Sequence, residues 1–175
     1  MVFALEHLDR HTRLLMLAEL DDDLAAQREY LDPRLADGAA PSYLGLLRAA
    51  LQDGTPESFS EALAGSALLR SHEERRLPGG ELITAKVPHT AAQTIAEGEF
   101  NRYYMRAVCR LALQGEGVVE VYRAKPVSKP RPEEGAARRD AAQLLEDLRT
   151  SNISVSGSFP GPNSGRSLRL PPAGR

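Results

Sequence analysis

Three arginines spaced four apart, Arg102, Arg106 and Arg110, are the residues of this chain best arranged to do chemistry. In a helix that spacing puts them on one stripe, where guanidinium forks could grip phosphates or carboxylates. Arg123 and Lys125 follow closely, and residues 100–131 hold seven bases against two acids, Glu116 and Glu120. Arg102, Arg106, Arg110, Arg123 and Lys125 are therefore the candidate binding residues. Their stripe suits the acids of a protein partner or of a second copy, those of this chain's own acidic N-terminal half, or a nucleic-acid backbone, and an ordinary solvated face would read the same way. Phe100, Tyr103 or Tyr104, Ala107, Val108 and Leu111 fall on the other side. The spacing predicts that this side docks, with Phe100 and Leu111 buried and the arginines turned outward.

No other cluster makes a specific site. Glu97 and Glu99 are two apart, so on a helix they diverge and form no carboxylate dyad; Glu99 is better placed to pair with Arg102. His7 and His11 sit one helical turn apart, as zinc ligands can. The stretch between them lacks the glutamate of a metalloprotease helix and has no third ligand, so surface histidines are the plainer reading. His89 could act as a base, but no nucleophile can be assigned to it. Cys109, mid-helix, reads as a small core residue. Asp21, Asp22 and Asp23 lack the spaced oxygens and glycine of a calcium loop and read as a solvated acidic turn. Glu120 and Lys125 would lie on opposite faces of a strand, which rules out a metal-nuclease pairing. No cofactor is expected, and an enzyme is the third choice of function.

These residues need elements to hold them. A first helix is expected from about Phe3 or Asp9 to Tyr30, ended by Asp32-Pro33. Ser42 is a cap for a second, and Thr55-Pro56-Glu57 opens a third. Ser66 to Arg76 reads as a further helical turn or two. Pro78-Gly79-Gly80 is the clearest turn, followed by a strand from Glu81 to Val87. Thr90 with Gln93 forms a capping box for the long helix that carries the arginine stripe. Gly115 and Gly117 end it, and Val118 to Ala124 is a second strand. Strand, helix, strand is a βαβ pattern, which would make the two strands parallel if they shared a sheet. Residues 126–135 read as a linker. A last helix runs from Asp140 to Arg149. The fold class is thus α+β, mainly helical with a small two- or three-stranded sheet. Residues 1–150 should form one domain, and 151–175, rich in Ser, Pro and Gly, a mobile or extended tail that folding does not need.

Composition narrows the setting. Aromatics are 5% of the 175 residues and Trp is absent, so the core must come from Leu, Ala, Val and Ile. Arginine far outnumbers lysine, a bias that a GC-rich genome would produce. Residues 1–65 carry a net charge of −7 and residues 66–175 a net charge of +5, which could set up head-to-tail contact or steer a polyanion to one end, unless the two halves neutralise each other within one fold. A single cysteine excludes an internal disulfide and suits a reducing, cytoplasmic compartment. The N-terminus does not read as a signal peptide, and no apolar run is long enough to span a membrane.

The stretch GEFNRYYMRAVCRLAL, with VEVYRAKPV and KPRPE after it, resembles a family of uncharacterised proteins from GC-rich actinobacterial and phage genomes. RLLMLAELDDDLAA fits the same likeness, which covers most of residues 10–150. The resemblance implies a phage-linked structural or assembly role and carries over no catalytic residue. The leading expectation is a non-enzymatic interaction or assembly protein that self-associates through the Arg102–Arg110 face. The alternative is a nucleic-acid-binding accessory protein using Arg102, Arg106, Arg110, Arg123 and Lys125.

Overall fold

A computed structural model describes residues 3–126, 137–150 and 164–172. Its architecture is α+β and mainly helical, with two small antiparallel sheets. Helix α1 spans Arg10–Ala25 and starts where Asp9 accepts the Thr12 N–H at 2.8 Å. That bond and the amide charge of the first turn hold the Asp9 carboxyl below its usual range. Helix α2 spans Ala40–Asp53 with Ala39 at its cap position, three residues before the predicted Ser42, and has Pro41 in the first turn, where its missing N–H costs nothing. Helix α3 spans Pro56–Gly65 and has the expected start: Thr55 and Ser58 cap each other's backbone N–H groups. Gly54 before it is a steric requirement, because a Cβ there would lie 2.9 Å from Ala50 Cα.

The next segment differs from the expectation. Residues 72–76 are not helical but form strand β1 (His72–Arg76), antiparallel to β2 (Leu82–Lys86), with Pro78-Gly79-Gly80 in the connection. Gly80 takes φ +87°, which suits glycine, and donates its N–H to Leu77 O at 2.8 Å. The base of this hairpin is fixed by pairing of 34–36 with 68–70: Ala36 N–H donates to Leu68 O and Arg70 N–H to Arg34 O.

Helix α4 (Ala91–Ala112) is the axis of the fold. The Thr90–Gln93 box does not form; Gln93 instead donates to Glu97 Oε1 at 2.8 Å. Helices α1, α2, α3 and α5 (Ala141–Thr150), strand β3 (Val118–Arg123) and strand β5 (Arg166–Arg169) all pack on α4. Being covered on every side, it is buried without a break from Ile95 to Cys109. Phe100, Tyr104, Ala107, Val108 and Cys109 make the middle of the core, with Met16, Leu20, Tyr43, Leu47, Phe59 and Leu63 from the other helices. Phe100 is buried as expected, whereas Leu111 is only half-buried although Ala112 beside it is buried.

The strands flanking α4 do not share a sheet. Among the described residues β2 pairs only with β1, while β3 is the centre of a second sheet, ordered β4-β3-β5, with β4 at Arg138–Asp140. All pairings are antiparallel, so the parallel crossover is not realised. The segment expected to stand apart as a tail is extended in part, but it is not separate: β5 hydrogen-bonds along β3, and Leu168 is fully buried. Asn101 on α4 clamps it, donating to Arg166 O at 2.9 Å and accepting from Ser167 Oγ at 2.6 Å. Most of the linker, and residues 151–163 of the tail, lie outside the described residues.

Candidate functional site

The arginine stripe exists, but it faces inward. Arg102 and Arg106 are buried, at 5% and 1% exposure, and only Arg110 reaches the surface in part. The expectation of an outward basic face is corrected for a physical reason. Local spacing gives a helix two unlike faces, but α4 is enclosed on both, so each charge must find a partner inside.

Each of them does. Arg106 Nη1 meets Asp23 Oδ2 at 2.5 Å, and its Nε and Nη2 donate to Leu148 O at 3.1 and 2.7 Å. Tyr103 adds its hydroxyl to the same Asp23 oxygen at 3.1 Å. Asp23 thereby leaves the acidic turn it was assigned to and becomes an internal counter-ion, while Asp21 and Asp22 stay exposed. Burial, with the charges of Glu99 and Asp23, pushes the Tyr103 hydroxyl well above the ordinary phenol range. Arg110 and Arg149 converge on Glu19, at 3.3 and 2.6 Å. Burial alone would raise the Glu19 carboxyl, but the Arg149 fork and the surrounding arginines hold it below its usual value.

Arg102 pairs with Glu99 at 3.3 Å, the local pair its spacing predicted, and stacks on the Tyr30 ring at 4.7 Å. This is the least satisfied part of the network. Glu99 Oε2, Arg102 Nε and Tyr43 Oη have no hydrogen-bond partner among the described residues. Burial drives the Glu99 pKa up to about 7 against the pull of Arg102 and Arg106. Tyr43 is likewise raised, by burial and by the Glu99 charge.

The two remaining candidates lie apart from these. Lys125 pairs with Glu97 and sits over the Phe3 ring. Arg123, near the end of β3, donates to Ser164 O at 3.3 Å. The five predicted residues therefore do not form one surface. Arg106 and Arg110 tie α4 to α1, Arg106 also ties it to α5, and Lys125 ties it to the segment just after β3. Glu120 in mid-sheet does similar work between Arg138 on β4 and Arg169 on β5, both at 3.3 Å and both directly opposite it.

The other sequence candidates behave as small structural parts. His7 accepts the Leu170 N–H through Nε2 at 3.1 Å and donates its own N–H to Tyr104 Oη. Cys109 is buried, with its thiol pushed up to about 12 by desolvation. Among the described residues no three His, Cys, Asp or Glu side chains are grouped to hold a metal ion. No described helix is long and apolar enough to cross a membrane.

What the sequence reading missed is the β1–β2 hairpin. Among the described residues its strands pack appreciably only on each other and are mostly exposed. Two of the five large exposed hydrophobics among the described residues, Leu77 and Leu82, lie at its tip. The signal was present: a Pro-Gly-Gly turn directly ahead of a strand calls for a second strand on its other side. No protein-family model, curated protein or solved structure matches this chain.

Proposed function

We propose that this chain is a non-enzymatic interaction or assembly protein, and that the β1–β2 hairpin is the arm through which it makes contact. One observation carries the reading. A two-stranded sheet is marginal by itself in water, yet here it stands off a well-packed helical body. Among the described residues both its outer edges are unpaired, and leucines are exposed at its tip. Unpaired strand edges and exposed leucines are both ready contacts for another chain. The basic residues that motivated a nucleic-acid role give that alternative less support, because Arg102, Arg106, Arg110 and Lys125 are engaged in internal ion pairs. The phage-linked setting rests on the sequence resemblance alone.

The test is to replace residues 72–86 by a short glycine-containing turn. Ser71 O and Val87 N are already hydrogen-bonded at 3.0 Å, so the ends are close enough to join. The helical circular dichroism should be unchanged, and association in sedimentation and cross-linking should be lost. A folded, arm-less chain that associates as the wild type does would overturn the proposal.

A further inference from the structure

The edge of β1 away from β2 has a backbone polarity that can be read residue by residue. Leu77 N–H donates to Glu81 O at 2.8 Å, and Ser71 O accepts from Val87 N–H at 3.0 Å. Odd-numbered residues of the strand therefore turn their backbone groups toward β2. His72, Glu74 and Arg76 turn theirs outward, by the alternation of an antiparallel ladder. All three are exposed.

The side chains along this edge read His-Glu-Glu-Arg-Arg, an order that is complementary to itself. Bring up a second copy antiparallel, with a two-fold axis through Glu74. His72 then lies opposite Arg76 of the second copy and Glu74 opposite its own mate, so every outward N–H and C=O meets another. Glu73 falls opposite Arg75 of the second copy, and Arg75 opposite Glu73 of the second copy. These are the non-hydrogen-bonded positions, where side chains approach most closely. Within one chain Glu73 and Arg75 already pair at 2.9 Å, so the four charges alternate in sign around a square. Arg76 of the second copy is diagonal to each Glu74 and offsets the one like-charge contact.

The alternatives are poorer. Moving the axis to Arg75 sets that arginine against its own mate and replaces the Glu73–Arg75 exchange by one between Glu74 and Arg76, at hydrogen-bonded positions where side chains stand farther apart. The outer edge of β2 turns Leu82, Thr84 and Lys86 outward and offers no opposite charges to match.

We infer that two copies of this chain pair through the free edges of β1, antiparallel about Glu74, with Glu73 and Arg75 matched across the two-fold axis. The inference rests on the reading of the hairpin as a contact arm and names what the arm binds: the same strand of a second copy. An isologous contact of this kind closes on itself as a dimer and uses up the β1 edge, while the outer edge of β2 stays free.

Sedimentation equilibrium of the full chain over a concentration series tests it. The wild type should show a monomer–dimer equilibrium. Glu73→Arg and Arg75→Glu each set like charges across the axis and should weaken the dimer by about tenfold or more. Mixed in equal amounts, the two variants should recover it, because one copy then carries bases at both positions and the other acids. An effect confined to one chain would not be rescued by mixing. Glu74→Pro removes an N–H that β2 does not use, so the hairpin should survive while dimerisation is lost. Circular dichroism confirms that each variant is folded. A wild type that stays monomeric throughout, or single variants that dimerise normally, would overturn the inference, as would a mixture that does not recover. If the charge variants behave as wild type while the arm-less chain loses association, the arm works through another contact and only this inference falls. If the arm-less chain also associates normally, both fall.

Discussion

Helix α4 and the β1–β2 arm are built from the same charged residues at short spacing and treat them in opposite ways. On α4, Glu99, Arg102 and Arg106 are enclosed and must be paired in place. On the arm, Glu73, Glu74, Arg75 and Arg76 sit at or near the surface. The difference is not in the local pattern but in how many elements cover it. An enclosed charge loses water that only a fixed partner can replace, whereas an exposed one keeps its water and gains little from any single pair. Charge on α4 therefore fixes how the helices pack, and charge on the arm stays in contact with water.

The sharpest way to break this contrast is to remove one member of an interior pair. Asp23→Ala leaves Arg106 buried without its carboxylate and Tyr103 without its acceptor. It should cost about 3–5 kcal/mol in denaturant unfolding. Asp23→Leu combined with Arg106→Met should cost less than either single change, since no lone charge remains. For the same reason, removing Arg102, Arg106 and Arg110 together should unfold the domain, not merely strip a surface. A stable triple variant would show that α4 is less enclosed than its packing implies.

Next in size is the strand beyond the last helix. Leu168→Ala should cost about 2–5 kcal/mol by denaturant melt, and a chain ending at Thr150 should melt well below the full chain. The sequence alone predicted that this segment was dispensable.

Glu99 gives a comparable effect that depends on pH. Its folded pKa of about 7 lies above its ordinary value of 4.5, so the native state holds the proton more tightly. The stabilisation is full below about pH 4.5 and is lost as pH rises through about 7. The stability difference between wild type and Glu99→Gln should shift by roughly 2–4 kcal/mol in favour of the variant across that window. A difference that stays flat from about pH 4.5 to 8 would mean that Glu99 is not a buried, half-satisfied acid.

The smallest effect belongs to the arm. Arg75→Glu or Leu82→Ser should change the stability of the monomer by less than about 0.5 kcal/mol in a thermal melt, as for exposed positions. A large loss would place the arm within the core and remove the contrast.

Much of the local structure was legible. Asp9 and Thr55 act as the helix caps their types allow, Pro56 sits in a first turn, and Asp140 accepts from Gln143 N–H at the start of α5. The long helix and the strands after Pro78-Gly79-Gly80 and Gly117 fall where periodicity and turn residues put them. The pair Glu99–Arg102 could be read from spacing alone. β1 was legible only through the Pro78-Gly79-Gly80 turn beside it, because Glu-Glu-Arg-Arg itself has no alternation of apolar and polar residues and so no strand period.

What the sequence determined by itself was local: where helices start, where turns fall, which residues share a helix face, and that the class is mainly helical. What tertiary structure decided was which faces meet water. Periodicity shows that α4 has a basic stripe, but only the arrival of α1 with Asp23, α5 with the Leu148 carbonyl and β5 from far along the chain turns that stripe into an interior network. Burial is set by partners distant in sequence, and no local pattern records their approach.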